Sequence, residues 1–175
     1  MSWRVITYRL PAEPSRHRVA VWRELRRLGA VALQQGTWAF PEGERFDAGL
    51  ADVAEAIKAA GGQPVVLVVA EDDASTAQLE ALFTAEREAE WGEFLADCGK
   101  YEAELGDEVA KGKLTLAELD EEEQSLDRLR RWYRTIRARD LFGAPSAAAA
   151  DQRLKDCAEA LESFAEKVYQ ARGRP

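Results

Sequence analysis

The sequence contains very little histidine or cysteine for a chain of 175 residues. Its single histidine, His17, excludes most catalytic triads and all histidine-rich metal sites. Its two cysteines, Cys98 and Cys157, stand far apart and form no Cys-x-x-Cys pair, which excludes a disulfide framework and a cysteine-built zinc module. Both cysteines fall near apolar positions, so we expect buried, unreactive thiols.

Long apolar runs are also missing. The longest, residues 65–70, is far shorter than the ~20 residues that a membrane helix needs. With 12 glycines and 6 prolines, the composition does not match a disordered or fibrous chain. The N-terminus has no apolar signal segment. We therefore expect a cytoplasmic protein without a membrane segment, built as one large or two small domains.

Charge is distributed unevenly along the chain. The net charge is +2 over residues 1–70, −14 over residues 71–123 and +4 over residues 124–175, which gives −8 in total. Neighbouring segments of opposite sign predict that much of this charge is neutralised internally. A nucleic-acid-binding protein needs a basic domain or a basic stripe, and only a stripe is available here.

The first seventy residues alternate between strand and helix patterns. Residues 3–10 are rich in β-branched and aromatic side chains, a hairpin signal lies at Gln35-Gly36, and residues 65–69 form a continuous apolar run typical of a buried strand. Two amphipathic helices separate these strands, the first with Ser15 as its N-cap and Gly29 at its end. The resulting β-α-β-β-α-β order predicts an α+β fold with a ferredoxin-like domain over residues 1–72.

From residue 73 onward the patterns are helical only. Two capping boxes, each a Ser or Thr followed three residues later by Gln or Glu, begin at Ser75 and Thr115 and open two long helices. A polar, glycine-containing connection is expected between these helices, over residues 106–113. A third helix begins at Ser146. Residues 73–175 are therefore predicted to form an α-helical bundle of three long helices.

Four glutamates fall on or beside the apolar stripes of the first two long helices. Two Glu-x3-Glu pairs on neighbouring helices resemble the carboxylate shell of a bundle metal site, although such sites normally add a Glu-x-x-His motif. Oxygen ligands alone would suit Mg²⁺ or Mn²⁺. The alternative is that these inward carboxylates pair with arginines. The four residues are Glu86, Glu90, Glu118 and Glu122.

Arginines form two groups. In the second long helix, Arg130, Arg134 and Arg137 follow i, i+4, i+7 spacing along one border of the apolar stripe. They would bind the inward glutamates, hold a tetrahedral oxyanion or contact a phosphate backbone. In the first helix of the chain, a basic stripe lies opposite the apolar face, where it would either neutralise DNA phosphates or simply face solvent. This stripe consists of Arg16, Arg23 and Arg27.

Several motifs resemble the N-terminal region of the ChrB family of chromate-resistance regulators. They are Ser15-Arg16-x-Arg18, Arg87-Glu88-x-Glu90-Trp91 and Arg139-Asp140-x-Phe142, and the resemblance covers nearly the whole chain. It implies a chromate-responsive, DNA-binding protein that controls a chromate-efflux operon. It also implies DNA contacts by Arg16, Arg18, Arg23 and Arg27, and oxyanion contacts by Arg130, Arg134, Arg137 and Arg139.

The function predicted from these features is that of a non-enzymatic regulatory protein without a cofactor. Its expected partners are operator DNA, chromate or a similar oxyanion, and a second copy of the chain in a homodimer. Two other interpretations stay open. One is a metal-binding protein or enzyme that uses the four inward glutamates, and the other is an interaction module for a separate sensor domain.

Overall fold

The structure is a computed structural model that describes residues 2–70 and 72–173. Its elements in chain order are β1 (Trp3–Arg9), α1 (Ser15–Leu28), β2 (Val31–Gln34), β3 (Thr37–Pro41), α2 (Glu44–Ala59), β4 (Gln63–Val69), α3 (Asp73–Lys111), α4 (Leu116–Arg139) and α5 (Ala147–Arg172). The predicted α+β class and the order of its elements are confirmed. Within the described ranges, no helix is both long enough and apolar enough to cross a membrane.

The chain forms two compact units, one up to Glu86 and one from Arg87 onward. We call them unit 1 and unit 2. The division falls inside α3, so this helix contributes residues to both units. The sequence predicted two domains, residues 1–72 and residues 73–175. Whether each of them folds on its own stays a prediction.

Unit 1 contains a four-stranded antiparallel sheet in the order β2-β3-β1-β4. Its core packs Ile6 of β1 against Leu25 of α1 and Ile57 of α2. Helix α1 starts one residue earlier than a Ser15 cap requires, because Pro14 occupies the N-cap position and no side chain caps the helix. The end of α1 agrees with the prediction: Gly29 adopts φ +88°, and its N–H donates to the carbonyls of the last turn.

Strand β4 lies at one edge of this sheet, which contradicts its interpretation as a buried strand. The four consecutive residues Val65, Val66, Leu67 and Val68 are between 42% and 67% exposed. The strand order gives the reason, because β4 has β1 on one side and no strand on the other among the described residues.

Unit 2 contains the rest of α3 together with α4 and α5, around a core that includes Trp91, Phe94 and Phe164. Thr115 caps α4 as predicted, accepting a hydrogen bond from the backbone N–H of Glu118 at 3.2 Å.

The long helix α3 departs from its predicted bounds at both ends. At its start the cap is Asp72, whose carboxylate accepts from the Ser75 N–H at 2.9 Å, so Ser75 is not the cap. At its end the helix continues through Gly106 to Lys111, where a flexible connection was predicted. Burial of Leu105 and Glu108 on either side of that glycine explains why the helix persists.

Candidate functional site

Helix α1 carries exposed arginines opposite its buried face. At about 100° per residue, Arg16, Arg23 and Arg27 lie within about 40° of one another, whereas Arg18 lies on a different side of the helix. All four side chains are exposed. The structure therefore brings three of the four predicted DNA contacts onto one face, and we call these three the α1 arginine row. The buried face opposite consists of Val21, Leu25 and Leu28.

Two members of the α1 arginine row have no internal acidic partner. In the part of the chain that the structure describes, no carboxylate lies within ion-pair distance of Arg16 or Arg23. Arg27 differs, because two of its three guanidinium nitrogens, Nε and Nη2, donate to Glu24, with Nε 3.0 Å from Oε2. This pairing lowers the pKa of Glu24 and raises the pKa of Arg27. Arg16 and Arg23 are therefore available to bind an outside anion, whereas Arg27 is already paired with Glu24.

The four arginines predicted to hold an oxyanion do not share one environment in the structure. Arg139 is buried, and its Nη2 lies 3.0 Å from Glu90 Oε1. Arg130 is exposed and pairs with Asp127, one turn earlier, at 3.2 Å. Arg134 and Arg137 are exposed on α4. One of the four is therefore held by an internal carboxylate away from solvent, while the other three lie on the solvent side of the helix.

Glu90 is the centre of a buried ion cluster in unit 2. Its Oε2 lies 3.0 Å from Arg87 Nε, and its Oε1 meets Arg139, so one carboxylate is shared by two guanidinium groups. All three residues are less than one-tenth exposed. A buried ion cluster of this kind contributes little net stability, but losing one partner leaves a buried charge uncompensated.

A second buried polar contact lies beside this cluster. The indole Nε1–H of Trp91 donates to Asp140 Oδ2 at 3.0 Å, and Asp140 Oδ1 accepts from the backbone N–H of Ala144 at 2.9 Å. Glu88 accepts hydrogen bonds from the backbone N–H of Ser146 at 3.0 Å and from the Ser146 hydroxyl. These bonds supply an acceptor for a backbone N–H at the start of α5, where the helix itself offers none. The two family-like motifs at residues 87–91 and 139–142 therefore meet in space and hold the three helices together.

The four glutamates considered for a metal do not form a metal site. Among the residues that the structure describes, no group of three or more histidine, cysteine, aspartate or glutamate side chains is placed to hold a metal ion. Glu90 is occupied by arginines, and Glu118 lies 3.7 Å from Lys113 Nζ. Glu86 belongs to unit 1 and the other three glutamates to unit 2. The alternative that inward carboxylates pair with arginine holds for Glu90.

Glu122 is buried without such a partner. The residue is 3% exposed, and its Oε2 makes no hydrogen bond. Burial and then the nearby carboxylates, of which Glu104 contributes most, raise the pKa of Glu122 to about 7. The Tyr101 hydroxyl approaches this site but donates to the Glu122 backbone carbonyl at 3.2 Å, not to the carboxyl group. Because the carboxyl group is buried, its neutral form is favoured.

A groove between α3 and α4 presents a cation that the sequence interpretation did not select. Its volume is about 520 Å³, and Arg128 and Lys100 contribute to its lining. Arg128 Nη2 donates to Ser125 Oγ at 2.7 Å, whereas Lys100 pairs with Asp97 at 2.6 Å. The sequence could have indicated this groove, because Ser125, Arg128 and Trp132 follow i, i+3, i+7 spacing and therefore share one side of α4.

The two cysteines lie against each other, although they are distant in sequence. Cys157 Sγ is 3.7 Å from the Cys98 carbonyl oxygen, and both residues are fully buried between α3 and α5. A hydrogen bond between the thiols raises the pKa of Cys157 and lowers that of Cys98. Burial agrees with the expectation, but their mutual contact was not predicted.

Comparison with known proteins gives a consistent answer. The family described as "Protein ChrB, N-terminal" matches residues 18–175. "Protein ChrB" from Cupriavidus metallidurans (strain CH34) is 28% identical over 164 residues, which is 92% of this chain and 47% of that relative. The chain thus spans about half the length of the curated relative it matches. Because the family match extends over most of the chain, the chain belongs to the ChrB N-terminal family.

Proposed function

We propose that this chain is a non-enzymatic module of a chromate-resistance regulator, and that it binds operator DNA through the α1 arginine row. One observation carries the DNA proposal: Arg16 and Arg23 share an exposed face and have no acidic partner within the described part of the chain. Membership of the ChrB N-terminal family supports the proposal. A regulator of this kind would act in the cytoplasm, where the operon lies.

The geometry of α1 suits a short contact with DNA. At 1.5 Å per residue the row extends about 16 Å, close to the length of five base pairs. Guanidinium groups bind phosphate oxygens in a bidentate manner, so three of them can fix a helix against one strand. The net charge of −8 opposes DNA elsewhere on the chain. We therefore expect modest affinity that falls steeply with salt.

Fluorescence anisotropy tests this contact. The labelled duplex comes from upstream of the chain's own operon and is compared with a scrambled duplex, at about 50 mM and about 200 mM salt. The double variant Arg16→Gln/Arg23→Gln should bind at least tenfold more weakly at low salt. Its salt slope should fall by about 1.8, because each lost phosphate contact removes about 0.9.

The matched control is Arg128→Gln/Arg131→Gln, which removes the same charge from exposed positions of α4. It should bind like the unmodified chain. Absence of binding at low salt, or equal losses in both double variants, would contradict the proposed contact. Arg18→Gln tests the fourth predicted residue, and its position off the row predicts a smaller loss than either row member gives.

Chromate or a similar oxyanion is the proposed effector, and exposed α4 arginines are its proposed contacts. Arg134 and Arg137 lie one turn apart and face solvent, so both guanidinium groups can reach one tetrahedral anion. Arg139 is less suited, since its guanidinium already binds Glu90. Isothermal titration with chromate and sulfate should show binding that Arg134→Gln/Arg137→Gln abolishes. Absence of heat with chromate in the unmodified chain would exclude this effector site.

A homodimer completes the proposed function, because a twofold protein presents two α1 rows to a twofold operator. The competing interpretation as an interaction module for a separate sensor domain predicts that the chain alone binds neither DNA nor oxyanion. The experiments above therefore distinguish the two interpretations.

A further inference from the structure

The two edge strands of the unit 1 sheet differ in their protection against pairing with another chain. β2 has four residues and an irregular register against β3 between Ala32 and Gln34. β4 has seven residues and pairs with β1 in unbroken register from Gln63 to Val69. Short or irregular edge strands resist further pairing, whereas long regular ones invite it. Of the two edges, β4 is therefore the one open to another strand.

The exposed side chains of β4 are apolar on both faces of the sheet. Val65 and Leu67, each 51% exposed, point to one face, while Val66 at 42% and Val68 at 67% point to the other. The strand carries no charged residue, although charged residues make up 32% of the chain. Natural edge strands usually carry a charge, a bulge or a proline that prevents pairing. β4 has no charge and no bulge, and its one proline, Pro64, lies near its start, outside the exposed run from Val65 to Val68. Such a surface is typical of an interface.

We infer that β4 pairs with β4 of a second copy of this chain, antiparallel across a twofold axis near Leu67. The two four-stranded sheets would then form one sheet of eight strands. The inference rests on the homodimer of the proposed function and goes beyond it by naming the surface that forms it.

The charges at the two ends of β4 favour self-pairing in this direction. Arg9, exposed on β1 and in register with Gln63, lies at the start of β4, while Asp72 and Asp73 follow its end. An antiparallel pair places the start of one strand beside the end of the other, so each basic end meets an acidic end. A parallel pair would bring like charges together. Because the chain carries a net charge of −8, two copies approach most easily along an uncharged edge.

The size of this contact predicts its strength. An antiparallel pair centred on Leu67 joins residues 65–69 of the two copies, and five strand residues extend about 17 Å. A single strand pair buries less surface than a standard interface, so the dimer should be weak and should dissociate on dilution.

Sedimentation velocity of the chain without DNA tests the inference. Over a hundredfold range of concentration, the unmodified chain should shift from monomer to dimer. Leu67→Lys should weaken dimerisation at least tenfold, because two like charges would face each other near the axis. Leu33→Lys is the matched control, since Leu33 is a similarly exposed leucine on the opposite edge strand β2, and it should dimerise normally.

An equimolar mixture of Leu67→Lys and Leu67→Glu chains should dimerise at concentrations at which each chain alone stays monomeric. Restoration in the mixture shows that Leu67 meets Leu67, which loss of folding could not produce. A monomer of the unmodified chain at every concentration, a Leu67→Lys dimer as strong as that of the unmodified chain, or loss of the dimer in Leu33→Lys would each overturn the inference. Arg16→Gln/Arg23→Gln should still dimerise, so failure of DNA binding and failure of dimerisation give separate results.

Discussion

The two units of the chain handle charge in opposite ways. Among the described residues, the buried charged side chains all lie in unit 2, and unit 1 keeps its charged side chains at least partly exposed. The arginines show the contrast most clearly. Arg16 and Arg23 of α1 are exposed without an acidic partner, whereas Arg139 of α4 is buried against Glu90. The buried set is Arg87, Glu90, Glu108, Glu122, Arg139 and Asp140.

The contrast teaches that an arginine-rich segment is not by itself a binding surface. Guanidinium groups that meet a carboxylate inside the fold serve to position helices, and their removal should change stability. Guanidinium groups without an internal carboxylate remain available to an outside anion, and their removal should change binding with little effect on stability. Variants of both kinds of arginine test this division.

Arg139→Met should cause the largest loss of stability. The substitution leaves Glu90 with Arg87 alone in a buried site, and breaking a buried ion cluster by removing one partner costs about 3 kcal/mol. Urea denaturation followed by circular dichroism measures the change in the free energy of unfolding. DNA binding by the folded variant should be unchanged, because Arg139 lies in unit 2 and α1 lies in unit 1.

The control for this variant is Arg137→Met, an exposed position two residues away on the same helix. Its effect on stability should stay within about 0.5 kcal/mol. If Arg137→Met proved as destabilising as Arg139→Met, or Arg139→Met proved neutral, the division between buried and open arginines would fail.

The sequence predicted the order of elements well, because strand and helix periodicities are local properties. Thr115 as the cap of α4 and Gly29 at the end of α1 are confirmed for the same reason. The exposure of β4 could not be predicted, because the same apolar sequence can form either a central strand or an edge strand. Only the strand order, which depends on the whole sheet, decides between them.

The candidate sites were predicted less completely. Helical spacing alone placed Arg16, Arg23 and Arg27 on one face, but it could not show that Glu24 would hold Arg27. The pairing of Arg139 with Glu90 joins residues on two helices, so no local spacing reveals it. The family resemblance singled out the two motifs but did not predict that they lie together, and the structure shows this in the hydrogen bond between Trp91 and Asp140.

Glu122 should make the stability of the chain depend on pH. Its pKa is about 7 in the folded state, against an ordinary value of 4.5, so the folded state holds the proton more tightly than the unfolded state does. Stability should therefore fall as pH rises from about 4.5 to about 7, by an amount on the order of 2 kcal/mol, and then level off. Thermal unfolding at a series of pH values measures this decline.

Glu122→Gln should remove most of that decline, because the amide resembles the protonated carboxyl group at every pH. The variant should match the unmodified chain near pH 4.5 and exceed its stability above pH 7. Glu123→Gln, an exposed neighbour, should retain the original pH dependence. A decline that persists in Glu122→Gln would show that another group of unit 2 carries the buried charge.

The smallest expected effect concerns the shared cation of the α1 arginine row. Glu24→Gln removes the partner of Arg27, so all three row arginines should become open. DNA affinity should rise a few-fold and the salt slope should steepen by at most about 0.9, while stability changes by less than about 0.5 kcal/mol. Glu55→Gln on α2 is the matched control, since it breaks an exposed pair with Lys58 and alters net charge equally. Equal gains in both variants would mean that overall charge, not the row, governs DNA binding.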